Sequence, residues 1–188
     1  MIFTKQDIRL IGGRVFSYQL SLWIKQGYII KIKNGLYVFE DKSNNIEPEE
    51  LSQKIYSPSY ISLEKALSIY GIIPETVYGI TCITAKTTRE FNNYLGNYQY
   101  KHIKKNLFFG YEEVKGKNIP YLIASPEKAI LDFLYFNLTK IKTAKDMESF
   151  RFNKENIANL ISKSKLNDYL AFFENDKMGI AVKLLLKC

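Results

Sequence analysis

The spacing of apolar and polar positions changes several times along the first forty residues, and each change marks an element. Thr4 stands as a helix N-cap with Asp7 three residues on, close to a capping-box arrangement. Ile8, Leu10 and Ile11 follow, and Gly12-Gly13 closes what the pattern predicts as a short helix. In "RVFSYQLSLWIKQG" the apolar residues Phe16, Leu20, Trp23 and Ile24 fall at i, i+4, i+7 and i+8. They share one face of a second helix, which Gly27 ends. The period then drops to two, with Ile30 and Ile32 alternating with Lys31 and Lys33. Lys33-Asn34-Gly35 separates this run from Leu36-Tyr37-Val38. Asn-Gly between such runs predicts a tight β-hairpin whose two central residues both take positive φ.

Short helix, turn, second helix and hairpin follow the order of a winged helix-turn-helix, here over residues 1–40. The acidic segment "EDKSNNIEPEE" contains Pro48 and reads as a linker over 41–50. From 51 to 188 the pattern alternates between types. "SLEKALSIYG" predicts an amphipathic helix capped by Ser62 and closed by Gly71, and "YGITCITA" a β-branched strand. "YLGNYQYKHI", "NLFFGYEEV" and "IPYLIA" read as further strands. "SPEKAILDFLYF" starts a helix with Ser125 as N-cap and Pro126 at the first position. Two more helices are expected near "NKENIANLISKS" and "LNDYLAFFEN". The fold class is therefore α+β: a winged helix-turn-helix followed by a domain with a small mixed or antiparallel sheet flanked by helices.

Composition adds boundaries. The 188 residues suffice for one sizeable core or two small ones. No uninterrupted apolar run reaches membrane-spanning length, and the opening "MIFTKQDIRL" lacks the apolar stretch of a secretory signal, which predicts a soluble, cytoplasmic protein without a membrane partner. Cys82, Cys188 and the single His102 offer no metal-ligand spacing, so two free thiols and no metal are expected. The net charge of +8 lies in blocks, with six basic against two acidic residues in 1–40 and seven against three in 84–118. The first block coincides with the predicted winged helix, and basic charge there favours an anionic partner.

Turning the second helix by 100° per residue places Arg14, Tyr18, Ser21, Leu22 and Lys25 opposite its apolar face, with Ser17 on the flank. Arg and Lys reach phosphates or guanine edges, and Tyr and Ser donate to phosphate oxygens or bases, as a helix entering the major groove requires. Leu22 is the exception: it contacts a thymine methyl, packs on a neighbouring element, or marks a rotated helix. Strand alternation places the Lys31 and Lys33 ammonium groups on one outward face, with Asn34 and Gly35 at the tip. Such a hairpin is expected to lie on the phosphate backbone of double-stranded DNA beside the second helix, or to touch the minor groove. Alternatively, the lysines are solvated edge charges that discourage strand aggregation. A second basic run, "YKHIKKN", holds Lys101, His102, Lys104 and Lys105. It extends a DNA footprint, meets an acidic or RNA partner, or is simply solvated. In "SPEKAILD" the spacing of Lys128 and Asp132 predicts an ordinary surface ion pair, with Ala129, Ile130, Phe133 and Leu134 as the buried stripe. No acidic cluster, phosphate loop or nucleophile–base pairing emerges, so no enzyme activity and no cofactor are expected.

The run "FTKQDIRLIGGRVFSYQLSLWIKQGYIIKIKNGLYVF" resembles the winged-helix domain of AbiEi-type antitoxins, transcriptional regulators of abortive-infection toxin–antitoxin operons. "YISLEKALSIYGIIPE", "ITCIT" and "ASPEKAILDFLYF" are similar, in order and approximate spacing, to blocks of that family's C-terminal domain. The likeness covers residues 3 to about 138, and the two helical blocks together are its most specific part. Gly12-Gly13 departs from it, since the family pattern leads to a residue such as Val or Ser in that turn. The resemblance implies a two-domain protein that binds inverted repeats in its own promoter and represses it. It also implies neutralisation of a nucleotidyltransferase-type toxin encoded next door, direct contact not required, with that activity mainly in the C-terminal domain. The competing expectation is a winged helix that binds a partner protein and not specific DNA.

Overall fold

The computed structural model describes residues 2–187, so the free-thiol expectation for Cys188 falls outside the described residues. The N-terminal part contains β1 (Ile2–Thr4), α1 (Lys5–Leu10), α2 (Ser17–Lys25), β2 (Ile29–Lys33) and β3 (Leu36–Phe39). The strands form an antiparallel sheet in the order β1-β3-β2. The capping box at α1 is formed: the Thr4 hydroxyl accepts from the Asp7 N–H at 3.2 Å, and the Asp7 carboxylate accepts from the Thr4 N–H at 2.7 Å. The double glycine has a geometric cause at the other end. Gly12 takes φ +80° and donates to Arg9 O, while the Gly13 N–H reaches back to Ile8 O at 2.9 Å. A Cβ on Gly13 would lie 2.8 Å from Ile8 Cγ2, so the turn has no room for one.

The apolar face of α2 differs from its expected setting. Phe16 is the N-cap, outside the helix, where its N–H donates to Gln19 Oε1 at 2.9 Å. Phe16 and Ile24 are 47% and 37% exposed, leaving Leu20 and the half-buried Trp23 to carry the packing. They close a small core with Phe3, Ile29 and Tyr37. The strand β1, too short to stand out by periodicity, supplies Phe3 to that core.

The hairpin is corrected too. Gly35 alone of the turn pair has positive φ, at +84°. Lys31 faces Tyr37 and Lys33 faces Leu36 across the ladder, so Ile32 is an extra residue on β2. This bulge breaks the alternation. Lys31 stays exposed, Ile32 is buried, and Lys33 turns inward to donate to the Ile55 carbonyl. The two ammonium groups therefore do not share one outward face. Strand β3 is buried on both sides, with Tyr37 in the small core and Leu36 and Val38 in the large one.

Residues 40–55, part of which reads as a linker, are folded against the rest as α3 (Glu40–Ser43), a 3₁₀ turn over Pro48–Leu51 and α4 (Ser52–Ile55). Ile46, Leu51 and Ile55 enter the large core. The buried Glu50 carboxylate accepts from the N–H groups of Asn118 and Ile119 at 2.5 and 3.1 Å.

The larger sheet contains β4 (Ser59–Ile61), β5 (Ile80–Thr84), β6 (Arg89–Asn93), β7 (Gly96–His102), β8 (Tyr111–Val114) and β9 (Tyr121–Ala124). It is mixed, in the order β6-β7-β5-β4-β9-β8, with β5–β7 and β4–β9 parallel and the other pairs antiparallel. Alternation assigns its faces. Tyr98 and Tyr100 on β7 donate to the carbonyls of Pro48 and Ser52 on one side. Thr81 on β5 points the other way, to Ser62 O and the start of α5 (Leu63–Ile69). Beside α5 packs α6 (Pro126–Asn137), followed by α7 (Ala144–Glu148), α8 (Lys154–Leu160), α9 (Lys163–Ala171) and α10 (Asp176–Lys187). The helices α7 and α10 add to the expected set, and Met178, Ala181, Val182 and Leu185 give α10 a helical stripe. The architecture is α+β. No helix among the described residues is long and apolar enough to cross a membrane.

Candidate nucleic-acid interface

From Ile8 to Phe39 the chain contains no carboxylate side chain, and five cations stand in that stretch. The fold brings several of them to the outer side of α1 and α2. Arg14, Ser17, Tyr18, Ser21, Leu22 and Lys25 are all exposed. Arg14 lies before the helix, with its guanidinium 5.1 Å from the centre of the Phe16 ring. Phe16 in turn stacks on Tyr18 at 6.0 Å. A guanidinium held on exposed rings keeps its N–H fork free and loses less freedom on meeting a phosphate. Ser17 is already engaged, accepting from the Lys5 ammonium at 2.7 Å, and Ser21 donates to Ser17 O. Lys5 therefore belongs to this surface, beyond the residues expected from the helix pattern. So does Arg9, which with Arg14 lines a notch of about 490 Å³ across the Gly12-Gly13 turn. Arg9 lies in the acid-free run from Ile8 to Phe39, whereas Lys5 precedes Asp7 and joins the surface only through its bond to Ser17.

The hairpin contributes unequally. Lys31 and Asn34 are exposed, and they border a cleft of about 520 Å³ whose other wall is Phe91, Asn92 and Asn93 on β6. Lys33 is held by the Ile55 carbonyl, and burial together with the nearby Lys86 charge lowers its pKa. Its ammonium is thus engaged by that carbonyl and is not free to lie along a phosphate.

The second basic run does not form one surface. Lys101 and His102 are neighbours on β7 and point to opposite faces. Lys101 leans over the Phe136 ring at 5.5 Å, while His102 Nδ1 lies 2.8 Å from the Lys86 carbonyl. Lys104 and Lys105 are exposed between the buried anchors Ile103 and Leu107. Lys86, whose carbonyl faces His102, brings a further cation near Lys33. Its ammonium donates to Ser57 O at 2.5 Å and sits 5.6 Å from the Tyr56 ring.

The largest surprise is on α6. Lys128 and Asp132 are fully buried, not a surface pair. The Asp132 carboxylate takes the Lys128 ammonium on one oxygen and the hydroxyls of Ser62 and Tyr60 on the other, at 2.8 and 3.1 Å. The ammonium also donates to Tyr60 Oη and lies within 5.5 Å of the Tyr60, Phe109 and Phe173 ring centres. Burial raises the Asp132 pKa and lowers that of Lys128, and their contact opposes both effects. Burial likewise pushes the Tyr60 hydroxyl and the Cys82 thiol up. Every hydrogen-bonding partner of this cluster is internal, so it ties α6 to β4 and the start of α5. Glu127 beside it accepts from the Ser162 N–H at 3.1 Å and pairs with Lys165. Among the described residues no group of three His, Cys, Asp or Glu side chains could hold a metal ion.

No protein-family model matches this chain, and no curated protein matches it.

Proposed function

We propose that the chain is a DNA-binding transcriptional regulator whose first forty residues act as a winged helix-turn-helix. What carries the reading is the basic outer side of α1 and α2, free of carboxylates from Ile8 to Phe39, where Arg9, Arg14, Tyr18, Ser21 and Lys25 stand exposed around a helix anchored by Leu20 and Trp23. In this reading α2 enters the major groove, Arg14 and Lys25 meet phosphates or guanine edges, and Lys31 and Asn34 touch the backbone from the hairpin. The bond of the half-buried Lys33 to the Ile55 carbonyl removes it from the contact set. Operator recognition as an inverted repeat in the protein's own promoter, and antitoxin activity against a nucleotidyltransferase-type toxin, rest on the resemblance to AbiEi-type antitoxins. Co-expression with the adjacent gene tests the antitoxin part: rescue of growth supports it, and an adjacent gene harmless by itself removes its basis. Titration of the protein's upstream DNA tests the regulator part.

A second reading has one observation in its favour. Leu10 and Ile11 at the end of α1 are 77% and 85% exposed, and Leu22 and Ile24 add apolar surface on α2. That surface suits a protein partner or a second copy of the unit. Steep loss of nucleic-acid affinity with rising salt favours DNA; protein association that survives salt while DNA binding is absent favours the interaction module.

A further inference from the structure

A concavity lies far along the chain from the proposed DNA surface, between α7, α8 and α10. It is a groove of about 710 Å³. Its floor is apolar, built by Met147, Phe152, Ile157, Ile161 and Leu185. Its rim is cationic, with Arg151, Lys154, Lys163 and Lys187 against the single carboxylate of Glu148. Arg151 pairs at the surface with Glu75 at 3.3 Å. Lys154, Lys163 and Lys187 have no acidic partner among the described residues. They start α8, start α9 and end α10, so their charges border the groove from three separate elements. Lys163 in the first turn of α9 even runs against the helix dipole, which favours anions there. These lysines therefore do little for the isolated fold, and their charge complements an acidic occupant.

We propose that this groove receives an amphipathic helix from another protein, with its apolar stripe on the floor and acidic residues along its flanks. Apolar anchors at i, i+3, i+4 and i+7 match a groove between helices, and several spaced carboxylates match cations distributed over three elements. A small amphiphile with one carboxylate would instead need cations converging on one point. This inference is independent of the DNA-binding reading, which concerns the opposite end of the chain.

The test uses the full-length protein and a fluorescein-labelled synthetic helix with Leu at those four positions and Glu on the flanks. A scrambled peptide of the same composition serves as control. Anisotropy titration should show saturable binding of the amphipathic peptide and none of the scrambled one. Lys154→Glu/Lys163→Glu should weaken it about tenfold or more, through like charges facing across the contact. Ala158→Arg, at an exposed lining position, should also weaken it, and Lys154→Gln/Lys163→Gln should give a smaller loss without charge reversal. Circular dichroism melts confirm that each variant is folded. Equal binding of both peptides, or binding indifferent to all three variants, overturns the proposal. So does saturable binding of decanoate without peptide binding, and so does a self-associated form, broken by Ala158→Arg, that binds no peptide.

Discussion

Replacing Asp132 by Asn removes one charge from a fully buried pair while keeping an oxygen for the Ser62 and Tyr60 hydroxyls. The Lys128 ammonium then keeps only Tyr60 Oη and three aromatic faces. Breaking a buried pair from one side costs about 3–5 kcal/mol, because the remaining charge is uncompensated. With a urea dependence of about 2 kcal/mol per molar, the midpoint should fall by roughly 2 M. Lys128→Met/Asp132→Asn removes both charges and preserves the hydroxyl acceptor, so its loss should be smaller than the sum of the singles by about 2–3 kcal/mol. The deficit of Asp132→Asn should also depend on pH. Burial without a counterion lowers the Lys128 pKa further in the folded state. Between that value and the unfolded value of 10.5 the unfolded chain binds more protons, so stability rises with pH. The deficit at pH 7 should therefore shrink toward pH 10. Urea titrations of the parent, both singles and the double at several pH values measure all of this. A loss below about 1 kcal/mol for Asp132→Asn, or strict additivity in the double, refutes the description of the pair as buried and coupled.

Other outcomes follow from the same structure. Glu50 feels burial, which raises its pKa, but the N–H donors of Asn118 and Ile119 outweigh it and hold the pKa below the usual 4.5. Its contribution is therefore complete above that pH and is lost as pH falls through the lowered value; Glu50→Gln should cost about 1–3 kcal/mol at pH 7 and flatten the acid limb of the stability profile. Gly13→Ala should lower the melting temperature, since the new methyl meets Ile8 at 2.8 Å; an unchanged melt would contradict the close turn. Lys31→Ala should weaken DNA binding about equally for all sequences and reduce the salt slope by about one unit. Lys33→Ala should leave that slope unchanged and act on stability alone, because its ammonium is bound to Ile55 O.

Helix ends were legible because their causes are local. The Thr4–Asp7 capping box, the Ser125 cap on Lys128 N–H and the glycine ends of α1 and α2 all follow from residues within a turn of one another. What depends on distant partners was not. Lys128 and Asp132 have the spacing of a surface pair, and only Tyr60, Ser62, Phe109 and Phe173 make them internal. The acidic run 41–50 resembles a tether until Asn118 and Ile119 arrive to use Glu50. Lys31 and Lys33 share a parity, and the bulge at Ile32 separates them because the hairpin must serve two cores. For the candidate interface, the residues on α2 were readable, whereas Lys5, Arg9 and Lys86 required the fold to bring them alongside.

The central claim is that the outer side of α1 and α2 binds DNA in a sequence-dependent way. Its most direct test is anisotropy titration of the full-length protein with its own upstream duplex, beside a shuffled duplex of equal length, at several salt concentrations. The parent should prefer its own duplex, and Arg14→Ala/Lys25→Ala should lose about tenfold or more in affinity, with the salt slope falling by up to about two units. Equal binding of both duplexes by the parent, or undiminished binding by the double variant, would contradict it.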